Sequence, residues 1–181
     1  VYKEITPSLK CWIYPGQHGP LDVVHGIQNS CNVFFSEMGH RLSMDENGNY
    51  SPELGIEKIR KYASMFGLDE TSGIEIAERE PQMTTEKPEA SSIGQGKNSY
   101  SNVQLSRYIT AVANKGTVYK LSLLDKMTDS QGNLLKDFTP EIRSTIDVKD
   151  STWNAVHTGM RRVISDGSAR KIFKIGRASC R

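Results

Sequence analysis

Ile27-Gln28-Asn29-Ser30-Cys31-Asn32-Val33-Phe34-Phe35 is the stretch on which the reading of the fold turns. Helical patterns lie on both sides, over residues 21–28 and 33–42, the second with Phe35, Met38 and Leu42 at i, i+3, i+7. Between them, Asn29, Ser30 and Asn32 are types whose side chains bond to nearby backbone, so they favour caps and turns over helix interiors. The expected structure is helix, tight connection, helix. That sets the side chains of Ser30 and Asn32 at a helix junction, from which they can project into a cleft.

Outward from this junction, three more helices follow from pattern. Residues 52–66 carry Ile56, Ile59, Ala63 and Phe66 on one face, with Ser51 as cap, Pro52 in the first turn and Gly67 as stop. In residues 102–114 the row is Leu105, Tyr108, Ile109 and Val112. Ser101 with Gln104 has the form of a capping box there, and Gly116 is the expected left-handed stop. Over 152–164 the row is Trp153, Val156, Met160 and Val163, with Ser151 as cap. After Gly116, Tyr119, Leu121, Leu123 and Met127 alternate with polar residues. A turn at 129–133 and a return over 134–138 make a hairpin, and 142–148 reads as a third short extended piece or a connector. Residues 77–92, polar and holding Pro81 and Pro88, read as a surface loop.

The sequence has 181 residues, with 23 Lys plus Arg against 21 Asp plus Glu, a formal charge of +2. Such a balance lacks the concentrated basic face that nucleic-acid binding needs. The basic clusters Lys58, Arg60, Lys61 and Arg161, Arg162, Arg170, Lys171, Lys174 read as solvated helix faces. With 36% apolar and 24% charged residues, the composition is that of a soluble chain. No stretch approaches the roughly 18–20 apolar residues of a membrane span, and no signal peptide is evident. The first residue is Val1, so the expectation is a piece of a longer protein.

No metal or cofactor is expected. Cys11, Cys31 and Cys180 read as too few and too scattered for a disulfide framework or a zinc site. His18 and His25 have no acidic or thiol partner at ligand spacing and read as surface or packing histidines. Gly94-Gln95-Gly96 lacks the third glycine of a dinucleotide fingerprint and reads as a bend leading to the Ser101 helix.

Taken alone, Ser30-Cys31-Asn32 is a short pattern whose plain role is helix capping. Its surroundings add meaning. The runs His18-Gly19-Pro20-Leu21-Asp22 and Ile27 to Phe35 resemble the second motif region of penicillin-binding protein transpeptidase domains. Tyr62-Ala63, Phe66-Gly67-Leu68, Ser72-Gly73-Ile74-Glu75-Ile76, Ile93-Gly94-Gln95-Gly96, Val103-Gln104-Leu105 and Ala113-Asn114-Lys115-Gly116 continue the likeness in order. Gly159-Met160-Arg161-Arg162-Val163 and then Gly167-Ser168-Ala169, similar to the Gly-Thr-Ala before the family's third motif, complete it. The resemblance runs from about Cys11 to Phe173.

It implies an α+β fold: a helical lobe (about 18–116) and part of an antiparallel sheet covered by helices (about 117–174), together an incomplete domain over 1–174. The remaining residues, 175–181, read as a non-native or disordered tail. It also implies acyl transfer through a serine ester on D-alanyl-D-alanine stem peptides of peptidoglycan, and reaction with beta-lactams. Ser30 then relays a proton, and Asn32 holds the nucleophile's lysine and a substrate amide. Cys31 is expected to point away and pack.

Three departures bear on this. Ser101-Asn102 stands where the family usually has Thr-Pro, a mild change. No Ser-x-x-Lys precedes Ser30, so the nucleophile is expected outside this sequence, and the chain alone to be inactive. Ser168-Ala169-Arg170-Lys171 is a chance match to that string, and Lys174-Ile175-Gly176 follows too soon to be the third motif and lacks its hydroxyl. Two rival readings are a beta-lactam sensor or serine beta-lactamase, and a helical interaction module in which Ser30 and Asn32 only cap. The resemblance places the longer protein at the outer face of a bacterial cytoplasmic membrane, held by an anchor, in a wall-synthesis complex.

Overall fold

The computed structural model describes residues 9–172, so the tail at 175–181 and the Lys174-Ile175-Gly176 string lie outside the described residues. Among the described residues, six helices and four strands follow in the order α1 (Val23–Gln28), α2 (Asn32–Leu42), α3 (Pro52–Met65), α4 (Pro88–Ser91), α5 (Asn102–Ala113), β1 (Thr117–Lys120), β2 (Lys126–Thr128), β3 (Leu134–Asp137), β4 (Glu141–Thr145) and α6 (Asp150–Ser165). This is the incomplete α+β architecture expected from the sequence. No helix among the described residues is long and apolar enough to cross a membrane. The chain divides into two units, one of residues up to 59, 86–96 and 148 onward, the other of 60–85 and 97–147.

In the first unit α6 packs along α1. Gly159 makes the approach possible: a Cβ there would lie 2.8 Å from the Cβ of Ile27, closer than two carbons can sit. Trp153, Val156 and Val163 face inward as the periodicity predicts, whereas Met160 is exposed and Gly159 takes the buried position beside it. The expected Ser151 cap is incorrect, because α6 starts two residues earlier than expected, at Asp150 with Lys149 as its cap. Helix α2 rests on α4, whose Glu89 is buried and accepts hydrogen bonds from Tyr50 Oη (2.9 Å) and the His40 ring (3.3 Å). Residues 77–92 are therefore not simply a surface loop, since Thr84, Pro88, Glu89 and Ser91 are all buried. Lys58 is likewise no solvated cation: Nζ donates to the Leu42 carbonyl (2.9 Å), closing the C-terminus of α2.

In the second unit α5 begins with the capping box read from Ser101 and Gln104. It ends one residue earlier than expected, with Lys115 at φ +63° in the left-handed position and Gly116 N–H bonded to Ala111 O (2.7 Å). The apolar row is only partly inside. Leu105 and Ile109 are exposed, and Gln104 and Arg107 are buried with Ala111 and Val112. Arg107 donates to the carbonyls of Gly67, Glu70 and Thr71, which fixes the loop after α3. Glu78 accepts from Ser72 N (2.7 Å), Ser72 Oγ (2.7 Å) and Ser101 Oγ (2.7 Å).

The hairpin read from residues 119–138 forms only in its inner part, as β2 and β3, closed by Asp129, whose carboxylate accepts from Gln131 and Asn133 backbone N–H groups. The extended run before it is broken, because β1 leaves the hairpin and pairs antiparallel with β4, Thr117 opposite Thr145. Of the two readings of 142–148, extended piece or connector, the first holds for its start, as β4, and the strand ends at Thr145.

Candidate functional site

Helix α1 ends by a tight closure. Asn29 is the cap residue, Ser30 N–H bonds to Ile27 O (3.0 Å), and Cys31 N–H reaches Gly26 O (3.1 Å). This paired closure puts Ser30 at φ +49°, a left-handed conformation that side chains resist. Cys31 then caps α2, and Asn32 is its first residue. The helix, tight connection, helix reading is therefore what the chain forms. Ser30 is exposed and Asn32 half-buried.

Three successive residues of the preceding segment hold this turn. Lys10 O accepts from Asn32 Nδ2 (3.3 Å), Cys11 Sγ lies 3.9 Å from Cys31 Sγ, and Trp12 Nε1 donates to Asn29 O (2.9 Å). From the other end of the sequence, Ser168 N–H bonds to Gln28 O (3.2 Å), and Ser168 Oγ meets Ser30 Oγ at 3.1 Å. The Gly167-Ser168-Ala169 landmark thus lies against the Ser30 turn, although 138 residues separate the two serines. Gly167 is what permits it, because a Cβ would strike the Gln28 carbonyl and lie 2.8 Å from Val163 Cα.

The charged groups nearby have assignable states. Arg162 Nη1 faces His25 Nε2 (3.1 Å), and a guanidinium only donates, so Nε2 accepts. Nδ1 of the neutral ring then carries the proton and donates to Asp22 Oδ1 (2.7 Å). Hydrogen bonds from the His25 backbone and ring hold the Asp22 carboxyl below its ordinary value. Burial pushes the Cys11 thiol up, but hydrogen bonds from the Ile13 and Asn32 backbone and the Cys31 thiol outweigh it, leaving it lowered. Burial raises Cys31.

One expectation about these residues is corrected. Cys11, Cys31 and His18 are not scattered: their ligand atoms all lie within 4.8 Å of one another. Spacings of seven and twenty residues from Cys11 match no familiar ligand pattern, so the sequence alone hid the grouping. Cys31 is buried among the core residues, with its Sγ 3.9 Å from that of Cys11. A cleft of about 720 Å³ in the second unit, lined by residues including Gly73, Tyr119, Leu121 and Phe138, contains neither Ser30 nor Asn32.

Residues 2–176 match the family described as the penicillin binding protein transpeptidase domain. The chain belongs to this family. It is 27% identical over 171 residues to penicillin-binding protein 2A of Bacillus subtilis, covering 83% of this chain and 23% of that protein. It is 25% identical over 173 residues to the peptidoglycan D,D-transpeptidase MrdA of Escherichia coli, covering 86% of this chain and 25% of that protein. This transpeptidase-family chain therefore spans about a quarter of the length of these relatives. Penicillin-binding protein 2B from Streptococcus pneumoniae has a similar fold, with a TM-score of 0.70 at 21% identity over 82% of this chain and 26% of that one. So does penicillin-binding protein A from Mycobacterium tuberculosis, solved as an imipenem acyl-enzyme complex, with a TM-score of 0.69 at 16% identity over 89% of this chain and 36% of that one.

Proposed function

We propose that this chain supplies the Ser-x-Asn portion of the active site of a longer serine-type D,D-transpeptidase. That protein crosslinks peptidoglycan stem peptides through a serine acyl-enzyme and is acylated by penicillin. The observation that carries the reading is the meeting of the Ser30 turn with the Gly167-Ser168-Ala169 landmark, through the 3.1 Å hydroxyl pair and the bond from Ser168 N–H to Gln28 O. Two regions that only the family resemblance linked in the sequence sit side by side at one surface. Capping alone gives no reason for that juxtaposition.

In this reading, residues 18–116 supply the helical lobe and 117–174 part of the sheet lobe. A hydroxyl at Ser30 both accepts and donates, so it can pass a proton toward the departing amine. The Asn32 carboxamide offers an acceptor and two donors on one plane, enough to orient the nucleophile's lysine and a substrate amide together. The longer protein works at the outer face of a bacterial cytoplasmic membrane, anchored there and joined to wall-synthesis partners.

The test is fluorescent-penicillin labelling. In the longer protein, Ser30→Ala and Asn32→Ala each slow acylation while leaving the fold intact by circular dichroism, and the 181-residue chain alone takes up no label. Wild-type acylation rates in both variants would refute the assignment. Slow deacylation is expected of a transpeptidase; rapid turnover would move the reading to a beta-lactamase.

A further inference from the structure

The grouping of Cys11, His18 and Cys31 has a geometry more specific than three polar residues in contact. Cys11 Sγ is 3.9 Å from Cys31 Sγ and 3.6 Å from His18 Nδ1. Around a tetrahedral zinc ion, bonds of about 2.3 Å to sulfur and about 2.0–2.1 Å to nitrogen put two sulfurs about 3.8 Å apart and a sulfur and nitrogen about 3.6 Å apart. The two edges from Cys11 agree with that tetrahedron to within about 0.2 Å, and the third, between Cys31 Sγ and the His18 ring nitrogen, is within 4.8 Å. A disulfide, by contrast, needs its sulfurs at about 2.05 Å.

The surroundings also favour a bound ion. The Cys31 side chain is buried, and the Trp12 ring lies 5.5 Å from the His18 ring at a 60° tilt.

We propose that Cys11, His18 and Cys31 bind a zinc-class divalent cation that ties the segment around Cys11 to the Ser30–Asn32 turn. Binding displaces the two thiol protons to solvent and uses a lone pair of neutral His18. The two thiolates balance the charge of the ion, and nothing is oxidised or reduced. Three donors of this kind leave one tetrahedral position for a solvent oxygen or an incoming ligand. The role is positional: Cys31 caps α2 between Ser30 and Asn32, so fixing its sulfur fixes the backbone that presents both.

The test does not depend on the transpeptidase reading, because it is read on this chain without acylation. The full 181-residue chain carrying Cys180→Ser, which leaves only Cys11 and Cys31, is reduced, desalted and titrated with cobalt(II). Thiolate-to-cobalt charge-transfer absorption and intense visible bands of tetrahedral cobalt should saturate at one equivalent and vanish when zinc is added. Outer-shell losses alone weaken metal sites ~10–100-fold, so Cys11→Ser, Cys31→Ser and His18→Ala should each cost at least ~100-fold in affinity. His25→Ala should leave affinity unchanged. Absence of the charge-transfer band at one equivalent overturns the proposal, as does undiminished affinity in Cys11→Ser or His18→Ala. The first titration uses the intact cluster, so a ligand variant that fails to fold does not shield the proposal.

Discussion

Replacing Ser30 by glycine and by alanine separates what the backbone wants from what the hydroxyl does. Ser30 occupies φ +49° after α1, held by the bonds from its own N–H to Ile27 O and from Cys31 N–H to Gly26 O. A left-handed L-residue costs about 1–2 kcal/mol, whereas glycine there gives up about 0.5–1 kcal/mol in extra chain entropy. Both variants lose the 3.1 Å contact with Ser168 Oγ, so that loss cancels between them. Ser30→Gly should therefore unfold in urea with a stability about 0.5–1 kcal/mol above Ser30→Ala. In the longer protein both should lose penicillin acylation to a similar extent, because neither carries the hydroxyl. Equal stability of the two would refute the strain argument. A Ser30→Gly protein acylated at the wild-type rate would refute the relay, leaving serine at this position as an indifferent helix stop.

Other expectations follow from single contacts. Gly167→Ala drives a Cβ into the Gln28 carbonyl region, where only backbone can yield, at about 1–3 kcal/mol; an unchanged melting temperature would contradict this. Arg107→Met leaves the carbonyls of Gly67, Glu70 and Thr71 without their donor and should cost about 3 kcal/mol in urea unfolding. Burial raises the Glu78 carboxyl, but hydrogen bonds from Ser101 and Ser72 outweigh it and leave it lowered. Its stabilisation is thus present above the ordinary carboxylate range and lost as pH falls through the lowered value, so Glu78→Gln should cost about 1–2 kcal/mol at pH 7 and progressively less as acid titrates the wild-type carboxyl. The chain should also self-associate, since every residue of β2 and β3 is exposed and the pair is a sheet of two strands only; a constant monomer mass by light scattering would count against it.

What was legible in the sequence was local. The Ser101–Gln104 box, the Ser51 cap and the Gly67 stop each depend on residues within a few positions, and each forms as read. The α5 face misled because apolar periodicity assumes that burial follows hydrophobicity. Here Arg107 and Gln104 are inside because backbone carbonyls at 67–71 and Arg79 O need donors, a demand set 25 to 40 residues away. The β1–β4 pairing was hidden for the same reason: alternation marks a strand but does not name its partner.

The candidate site shows both sides of that division in one place. The Ser30–Asn32 junction was readable because cap-forming residues interrupt a helical pattern. Its supports were not: Lys10, Cys11 and Trp12 act on it in register from 17 to 22 residues away, and Ser168 from 138. Those supports matter physically because a left-handed serine relaxes unless neighbouring contacts over-determine it. A capping serine alone would need only the helix-closing bonds, which glycine makes as well. Contacts from both ends of the described chain converge on the turn that carries this strained, hydroxyl-bearing residue, and they are what supports the proposed chemical task of that hydroxyl.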